Sequence, residues 1–380
     1  MSGDAEETGG REKKVEVVGY PPAVVGPPAE PESDSDEERV EEGVPDASGG
    51  EDDEKDEEEE GIDELMDAFG DNETEIDLTH LRITSLRPLH LARFAETLER
   101  LILRQNLITS MRSRDFAPLT KLKELDLYDN SIQHINGLEH NTALEVLDLS
   151  YNSIRHVSRV SQLGHCHTLY LVQNKVTRVR EGDLKGPIAG SLRSLELGGN
   201  RLRSLENLGH LEHLTELWVG KNKIPSLTVR LPAWRGSLQG IASLTNLRVL
   251  SIQSNRLTSL DGLQTLTALE ELYVAHNGLT HLEGLEHNTN LTTLDIAGNQ
   301  IESLDGIAHL HKLTQFWAND NRINNINNVD KYLGPKVMPD LETVYLEGNP
   351  AQRAEGSSYR RKIQLGLPQI TQLDATLLRR

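Results

Sequence analysis

The sequence predicts a repeat solenoid of the α/β class, a curved horseshoe with a parallel sheet on its concave face and 3₁₀ or short helical segments on its convex face. Three observations carry that prediction. Asparagine recurs at Asn106, Asn130, Asn152, Asn174, Asn200, Asn222, Asn255, Asn277, Asn299, Asn321 and Asn349, and six of the ten intervals are 22 residues. The same apolar frame precedes each one, as in Leu122–Leu125–Leu127 before Asn130 and Leu291–Leu294–Ile296 before Asn299. Charge is also divided by position. The 380-residue chain has net −21, but residues 1–75 hold 29 acids and five bases, net −24, and the remainder sums to +3. A nearly neutral body therefore follows an acidic tail, and internal repetition outranks local propensity in settling the body's architecture.

Residues 1–61 offer little from which to build a core. Pro and Gly recur in PPAVVGPPAEPE, and acids then dominate up to EDDEKDEEEEG. Low hydrophobicity with like charge leaves too little burial to offset chain entropy, so disorder is expected. Ser33 and Ser35, each with an acid three residues on, are candidates for phosphorylation by an acid-directed kinase. Ile62, Leu65, Met66 and Phe69 follow i, i+3, i+4, i+7 spacing and predict a short capping helix over 62–75. It would either cover the apolar end of the body or bind a partner.

Residues 76–349 form about twelve copies of LxxLxLxxNxI, a leucine-rich repeat, the first of them degenerate, with Leu81 where Asn belongs. The xLxLx core alternates with period two, so its leucines point inward and their neighbours outward. Stacking pairs these strands into a parallel sheet. Each Asn stands where the chain turns away from its strand, and eleven in register form a ladder that satisfies backbone groups of the turns. Loss of one is expected to cost roughly 1–3 kcal/mol. A period this short leaves room for extended or 3₁₀ segments on the outer side and few full helices. The 33-residue interval before Asn255 holds an excess near 228–238, read as a loop pinned to the body by Trp234.

Residues 350–380 read as a C-terminal cap, with Tyr359, Ile363, Leu365 and Leu367 set against the last repeat and Pro368 ending the helical part. No stretch approaches the roughly 20 apolar residues of a membrane span, and the polar N-terminus lacks a signal-peptide core. The single cysteine, Cys166, cannot form an internal disulfide, which fits a reducing compartment, cytosol or nucleus.

Enzyme signatures are absent: there is no GxxxxGK[ST], HExxH, GxSxG or GxGxxG. His165–Cys166–His167 is the only Cys/His cluster, but Cys166 occupies the first apolar position of its repeat and should face the core, so no metal or other cofactor is expected. Basic charge is scattered along the sequence and the tail is acidic, so no nucleic-acid partner is expected.

Function then falls to the surface. The residues between the two inward leucines of each strand share one line, in order Ile102, Asp126, Asp148, Tyr170, Glu196, Trp218, Ser251, Tyr273, Asp295, Trp317 and Tyr345. Five are aromatic, four acidic and none basic, in a chain with only 15 aromatics. The neighbouring outward line adds Glu124, Glu216 and Glu271 against Arg100, so the two lines together sum to −6. Trp and Tyr are common interface anchors, and the wall reads as an acidic, aromatic-studded surface for a protein with a basic face.

Solvent-facing letters carry a further likeness. LILRQNLI (101–108), ELDLYDN (124–130), LVQNKV (171–176), VGKNKI (219–224), QSNRLTSL (253–260), ELYVAHNG (271–278), LDIAGNQI (294–301), FWANDN (316–321), LETVYLEGNP (341–350) and YRRKI…LP…LDAT together resemble the leucine-rich-repeat regulatory subunits of protein phosphatase 1, the regulatory-subunit-7 family. The resemblance covers about 76–380. It implies a non-enzymatic subunit, without cofactor, that cradles the catalytic subunit of a type-1 Ser/Thr phosphatase in its concave wall. It also implies a nuclear and cytoplasmic role in mitotic dephosphorylation and phosphatase maturation, with a small inhibitor protein as third partner. The family's contact positions fall on Asp148, Tyr170, Glu196, Trp218, Asp295, Trp317 and Tyr345, to which the spacing adds Asp126 and Tyr273 and the resemblance itself adds Gln315. The chain departs from the family at Tyr170 and Trp218, where Phe is usual, at Gln315, where an acid is usual, and in the loop around Trp234. A monomer when free is expected. An acidic histone-binding or chaperone-like protein and a cytoskeletal adaptor are the competing readings.

Overall fold

The computed structural model describes residues 62, 65–229 and 239–378. The chain divides into two units, Met1–Glu54 and Lys55–Arg380, and every described residue belongs to the second. The acidic tail with Ser33 and Ser35, and Trp234 with most of its loop, lie outside the described residues.

Eleven three-residue strands repeat along the second unit's body after a first strand, β1 (Glu75–Asp77). They are β2 (Arg100–Ile102), β3 (Glu124–Asp126), β4 (Val146–Asp148), β5 (Thr168–Tyr170), β6 (Ser194–Glu196), β7 (Glu216–Trp218), β10 (Val249–Ser251), β11 (Glu271–Tyr273), β12 (Thr293–Asp295), β13 (Gln315–Trp317) and β14 (Thr343–Tyr345). Between β7 and β10, β8 (Thr228–Val229) and β9 (Gln239–Gly240) pair antiparallel in a sheet of their own. The 33-residue interval is thereby absorbed: β7 pairs directly with β10, and the insertion leaves the main sheet unbroken. That sheet has fourteen strands, parallel throughout until β15 (Gln372–Leu373) turns back into β16 (Thr376–Leu377).

The central residue of each strand, such as Leu125, Leu147, Leu272 or Phe316, is fully buried, and the apolar residue two places later (Leu127, Leu149, Val274 or Ala318) joins it in one continuous core. Return segments are mostly extended. Regular helix is confined to short pieces such as the 3₁₀ turns Arg87–Leu89 and Leu91–Phe94 and the α-helix Pro187–Ser191, as expected for a period that leaves few residues for the return.

Every ladder asparagine makes the same set of bonds. Asn222 accepts from the Leu202 N–H at 2.9 Å and donates to the Leu197 and Val219 carbonyls at 2.9 and 3.0 Å. Asn152 and Asn299 repeat the pattern one or more turns away. Each side chain thus ties its own turn to the preceding one. The residue before each ladder Asn has positive φ in all eleven copies, from 53° at Gln173 and Lys221 to 76° at Gly348. On the opposite, return side, Asn141 and Asn288 are fully buried, and each donates to two carbonyls of the preceding turn.

Both ends are covered. Met66 is buried, while Ile62 and Phe69 pack against the core. Among the described residues helix is confined to Ile62 and Leu65–Asp67, not the whole of 62–75, and Leu65 is exposed. The Arg93 guanidinium holds this segment by donating to the Met66 and Phe69 carbonyls at 3.1 and 2.8 Å. At the other end the helix Tyr359–Gly366 sets Tyr359, Ile363 and Leu367 into the core. The expectation for Leu365 is corrected: it is 74% exposed, because residues four apart share a helix face and a residue two places on lies opposite.

Candidate sheet-face interface

The pairing register carries the candidate residues into one line. Ile102 is opposite Asp126, Asp126 opposite Asp148, Asp148 opposite Tyr170, and the series continues through Glu196, Trp218, Ser251, Tyr273, Asp295 and Trp317 to Tyr345. Gln315 lies two residues before Trp317 on the same strand, exposed, in the parallel line with Glu124, Glu216 and Glu271. All ten candidate positions therefore share the sheet's open face.

The aromatic members form a row. The Trp218 and Tyr273 rings stack at 6.1 Å and 22°, and the Tyr273 and Trp317 rings at 6.2 Å and 29°. These residues sit on alternate strands, roughly 9.5 Å apart at the backbone, so the rings lean together over the smaller side chains between them. Ser251, beneath the first pair, is left 2% exposed. Asp295 lies beneath the second pair, and burial pushes its carboxyl up to about 6. Tyr273 is fixed at its far end by a 2.7 Å hydrogen bond from its hydroxyl to Glu271.

The acidic members have a structural task that the spacing did not reveal. Asp126, Asp148 and Asp295 each accept a hydrogen bond from the backbone N–H two residues on, at 3.0, 2.8 and 3.0 Å. Each carboxylate braces the turn out of its own strand while its charge remains on the face. Burial raises Asp126 to about 6 against the opposing Tyr128 N–H, and raises Asp148 as well. Glu196 accepts no such bond among those described, and burial, followed by the charges of Asp148 and Glu216, pushes it up to about 7. Arg104 is the cation of this region, paired with Asp126 at 3.1 Å and stacked on Tyr128 at 4.6 Å. Tyr128 in turn meets Tyr151 at 4.9 Å. The Arg104–Tyr128–Tyr151 group lies beyond the strand ends and was missed, because it falls outside the alternating xLxLx frame.

Other sequence candidates lie apart from this face. Cys166 is buried while His165 and His167 are exposed, and among the described residues no group of His, Cys, Asp or Glu is placed to hold a metal ion. No described helix is long and apolar enough to cross a membrane. A groove of about 640 Å³ before the strand starts is lined by Arg193, Arg248, Glu270 and Lys312 among others. Its cations are engaged: Arg248 forms a bidentate pair with Glu270, and Arg193 donates to the carbonyls of Gly190, Ser191 and Leu192.

Repeat, ladder and parallel sheet agree with the families that match. "Leucine rich repeat" matches residues 74–132 and 96–154, and "Leucine Rich repeats (2 copies)" matches 245–287 and 289–331. The fold is that of a leucine-rich-repeat solenoid. Among solved structures, the internalin InlF of Listeria monocytogenes superposes with TM-score 0.60 at 21% identity, covering 84% of this chain and 95% of that one, a likeness of fold alone. Curated relatives of this leucine-rich-repeat chain are regulatory subunits of protein phosphatase 1. The protein phosphatase 1 regulatory inhibitor subunit PPP1R7 homolog of Arabidopsis thaliana is 34% identical over 186 residues, 43% of this chain and 56% of that protein. Protein phosphatase 1 regulatory subunit SDS22 of Saccharomyces cerevisiae is 47% identical over 73 residues, 19% of this chain and 21% of that one. The chain thus spans about half the length of the first of these relatives and less of the other. The resemblance read from solvent-facing letters is a resemblance to these proteins.

Proposed function

We propose that this leucine-rich-repeat chain is a non-catalytic regulatory subunit that binds the catalytic subunit of a type-1 Ser/Thr protein phosphatase through its sheet face. Its relatives are named for that phosphatase. The observation that carries the reading is the row Trp218–Tyr273–Trp317, stacked and half-buried, with Asp126, Asp148 and Glu196 before it on the same line and Asp295 within it. Rings held in one arrangement lose little freedom when a partner covers them, and aromatic anchors ringed by charge are typical of interface hot spots. The carboxylates select a partner with a basic face.

In this reading the chain controls activity, maturation or targeting of the phosphatase in nucleus and cytoplasm during cell division. A small inhibitor protein is a third member of the assembly, and the chain is a monomer when free. The test is calorimetric titration of the phosphatase catalytic subunit. Trp317→Ala should cost about 2–4 kcal/mol of binding while the chain stays folded at the titration temperature, and removal of residues 1–61 should cost little. Unchanged affinity for Trp317→Ala rejects the site. Loss of binding on removing the tail favours the histone-binding or chaperone-like reading instead.

A further inference from the structure

Basic residues that are scattered in the sequence meet on one edge of the fold. The position directly after the ladder asparagine is occupied in four consecutive turns by Lys175, Arg201, Lys223 and Arg256. Their backbone amides donate to Ile154, Val176, Leu202 and Ile224 of the preceding turn, the same bond in each copy. The four cations are therefore stacked in register, at about the 4.8 Å strand spacing where they leave the sheet. Lys221, Arg178 and Arg180 flank this row on the same turns, and Arg155 lies on the turn before it.

Acids are missing from these turns. None occurs between Asp148 and Glu181, nor in 197–205, 217–229 or 250–260. Among the described residues, Arg155, Lys175, Arg178, Arg201, Lys221, Lys223 and Arg256 enter no side-chain hydrogen bond or ion pair. The Arg180 guanidinium meets the ring of His156 at 3.0 Å. Burial, then the charges of Arg180, His134, Arg178 and Arg155, hold that imidazole below its usual range, as expected in a positive field. Asp183 borders the strip and is tied to the Arg180 backbone amide at 2.7 Å. The contrast with the opposite edge is sharp. There Lys121, Lys123 and Arg248 pair with Glu96, Glu99 and Glu270.

We propose that the strip from Arg155 to Arg256 is a second docking surface, one that takes an extended acidic polypeptide segment. Four stacked cations that share no ion pair complement a chain with closely spaced carboxylates. The four-residue row and its flanks match the reach of roughly eight extended residues. A nucleic acid fits less well. Single strands are usually held by aromatic stacking as well as charge, and the positions after the ladder asparagines carry no aromatic ring from Lys175 to Arg256. The strip is separate from the aromatic row, so its occupation is independent of what docks there.

The test uses the full chain and a fluorescent twelve-residue peptide of alternating Glu and Ser, read by anisotropy at low and moderate salt. Binding should weaken with salt, and the variant Lys175→Gln/Arg201→Gln/Lys223→Gln/Arg256→Gln should lose about tenfold or more in affinity. Lys121→Gln/Lys123→Gln, on the opposite edge, and Trp317→Ala, on the sheet face, should bind like the parent. Circular dichroism melting shows that each variant is folded. Absence of peptide binding by the parent, equal loss in the Lys121/Lys123 variant, or tighter binding of a twelve-nucleotide oligothymidine would overturn the proposal.

Discussion

Glu196 and Asp295 occupy the same line of the same sheet but bear their burial differently. Asp295 is compensated by the Ala297 N–H, whereas Glu196 meets further negative charge from Asp148 and Glu216. Raised in the fold from 4.5 to about 7, Glu196 binds its proton more tightly folded than unfolded. Its contribution to stability is therefore fully present below about pH 4.5 and is lost as pH rises through about 7. Asp126 and Asp295, raised from 3.8 to about 6, act in the same direction over a lower window. Glu196→Gln, which cannot ionise, should stabilise the chain by about 1 kcal/mol at pH 7.5, and the gain should vanish near pH 4.5. Thermal melts at the two pH values check this, and an equal effect at both would reject the electrostatic cause. A cation brought against this line would favour the ionised carboxylates and relieve the same cost.

At the scale of the repeat, the left-handed residue before each asparagine shows where sequence reading stops. Only Gly199, Gly298 and Gly348 mark the conformation, while Gln105, Asp129, Tyr151 and Lys221 adopt it with ordinary side chains. Their amides donate to the next turn, as Gln105 does to Tyr128 and Tyr151 to Val172, so the ladder overrides local preference. Alternating leucines and regular asparagines made the strands and the line of face residues legible, because those depend on period alone. Leaning rings, turn-bracing aspartates and the cationic edge were hidden, because they depend on what stands on the next turn. Glycines on the return segments separate strain from crowding. Gly182 and Gly284 have nearly the same φ, 100° and 101°, but an added Cβ meets nothing at Gly182 and approaches the Leu260 carbonyl oxygen to 2.9 Å at Gly284. Gly182→Ala should cost about 1 kcal/mol from backbone strain. Gly284→Ala should cost about 1–2 kcal/mol more, since backbone must move. Urea unfolding of the two variants measures the difference, and equal costs would show that the turn yields freely.

Across the whole sheet, each strand pairs only with its two neighbours, so stability is set turn by turn and the ends are the weakest places. The C-terminal end is closed by Asp374, which is 4% exposed and has φ 52°. Its Oδ1 accepts from the Leu346 and Glu347 amides at 2.9 and 3.0 Å and from the Tyr359 hydroxyl at 3.4 Å. It thus satisfies amides of the last full turn from beyond it. Asp374→Ala leaves those amides without their acceptor, at a cost of about 2–3 kcal/mol, whereas Asp374→Asn keeps a side-chain oxygen and should restore part of the loss. Nearest-neighbour coupling determines where the damage appears. Amide hydrogen exchange in Asp374→Ala should accelerate at Leu346, Glu347 and strands β13 and β14, and leave β2 to β5 at the parent rate. The same rate increase in every strand would mean that the solenoid opens as one cooperative body, and a local cap would then protect the entire sheet.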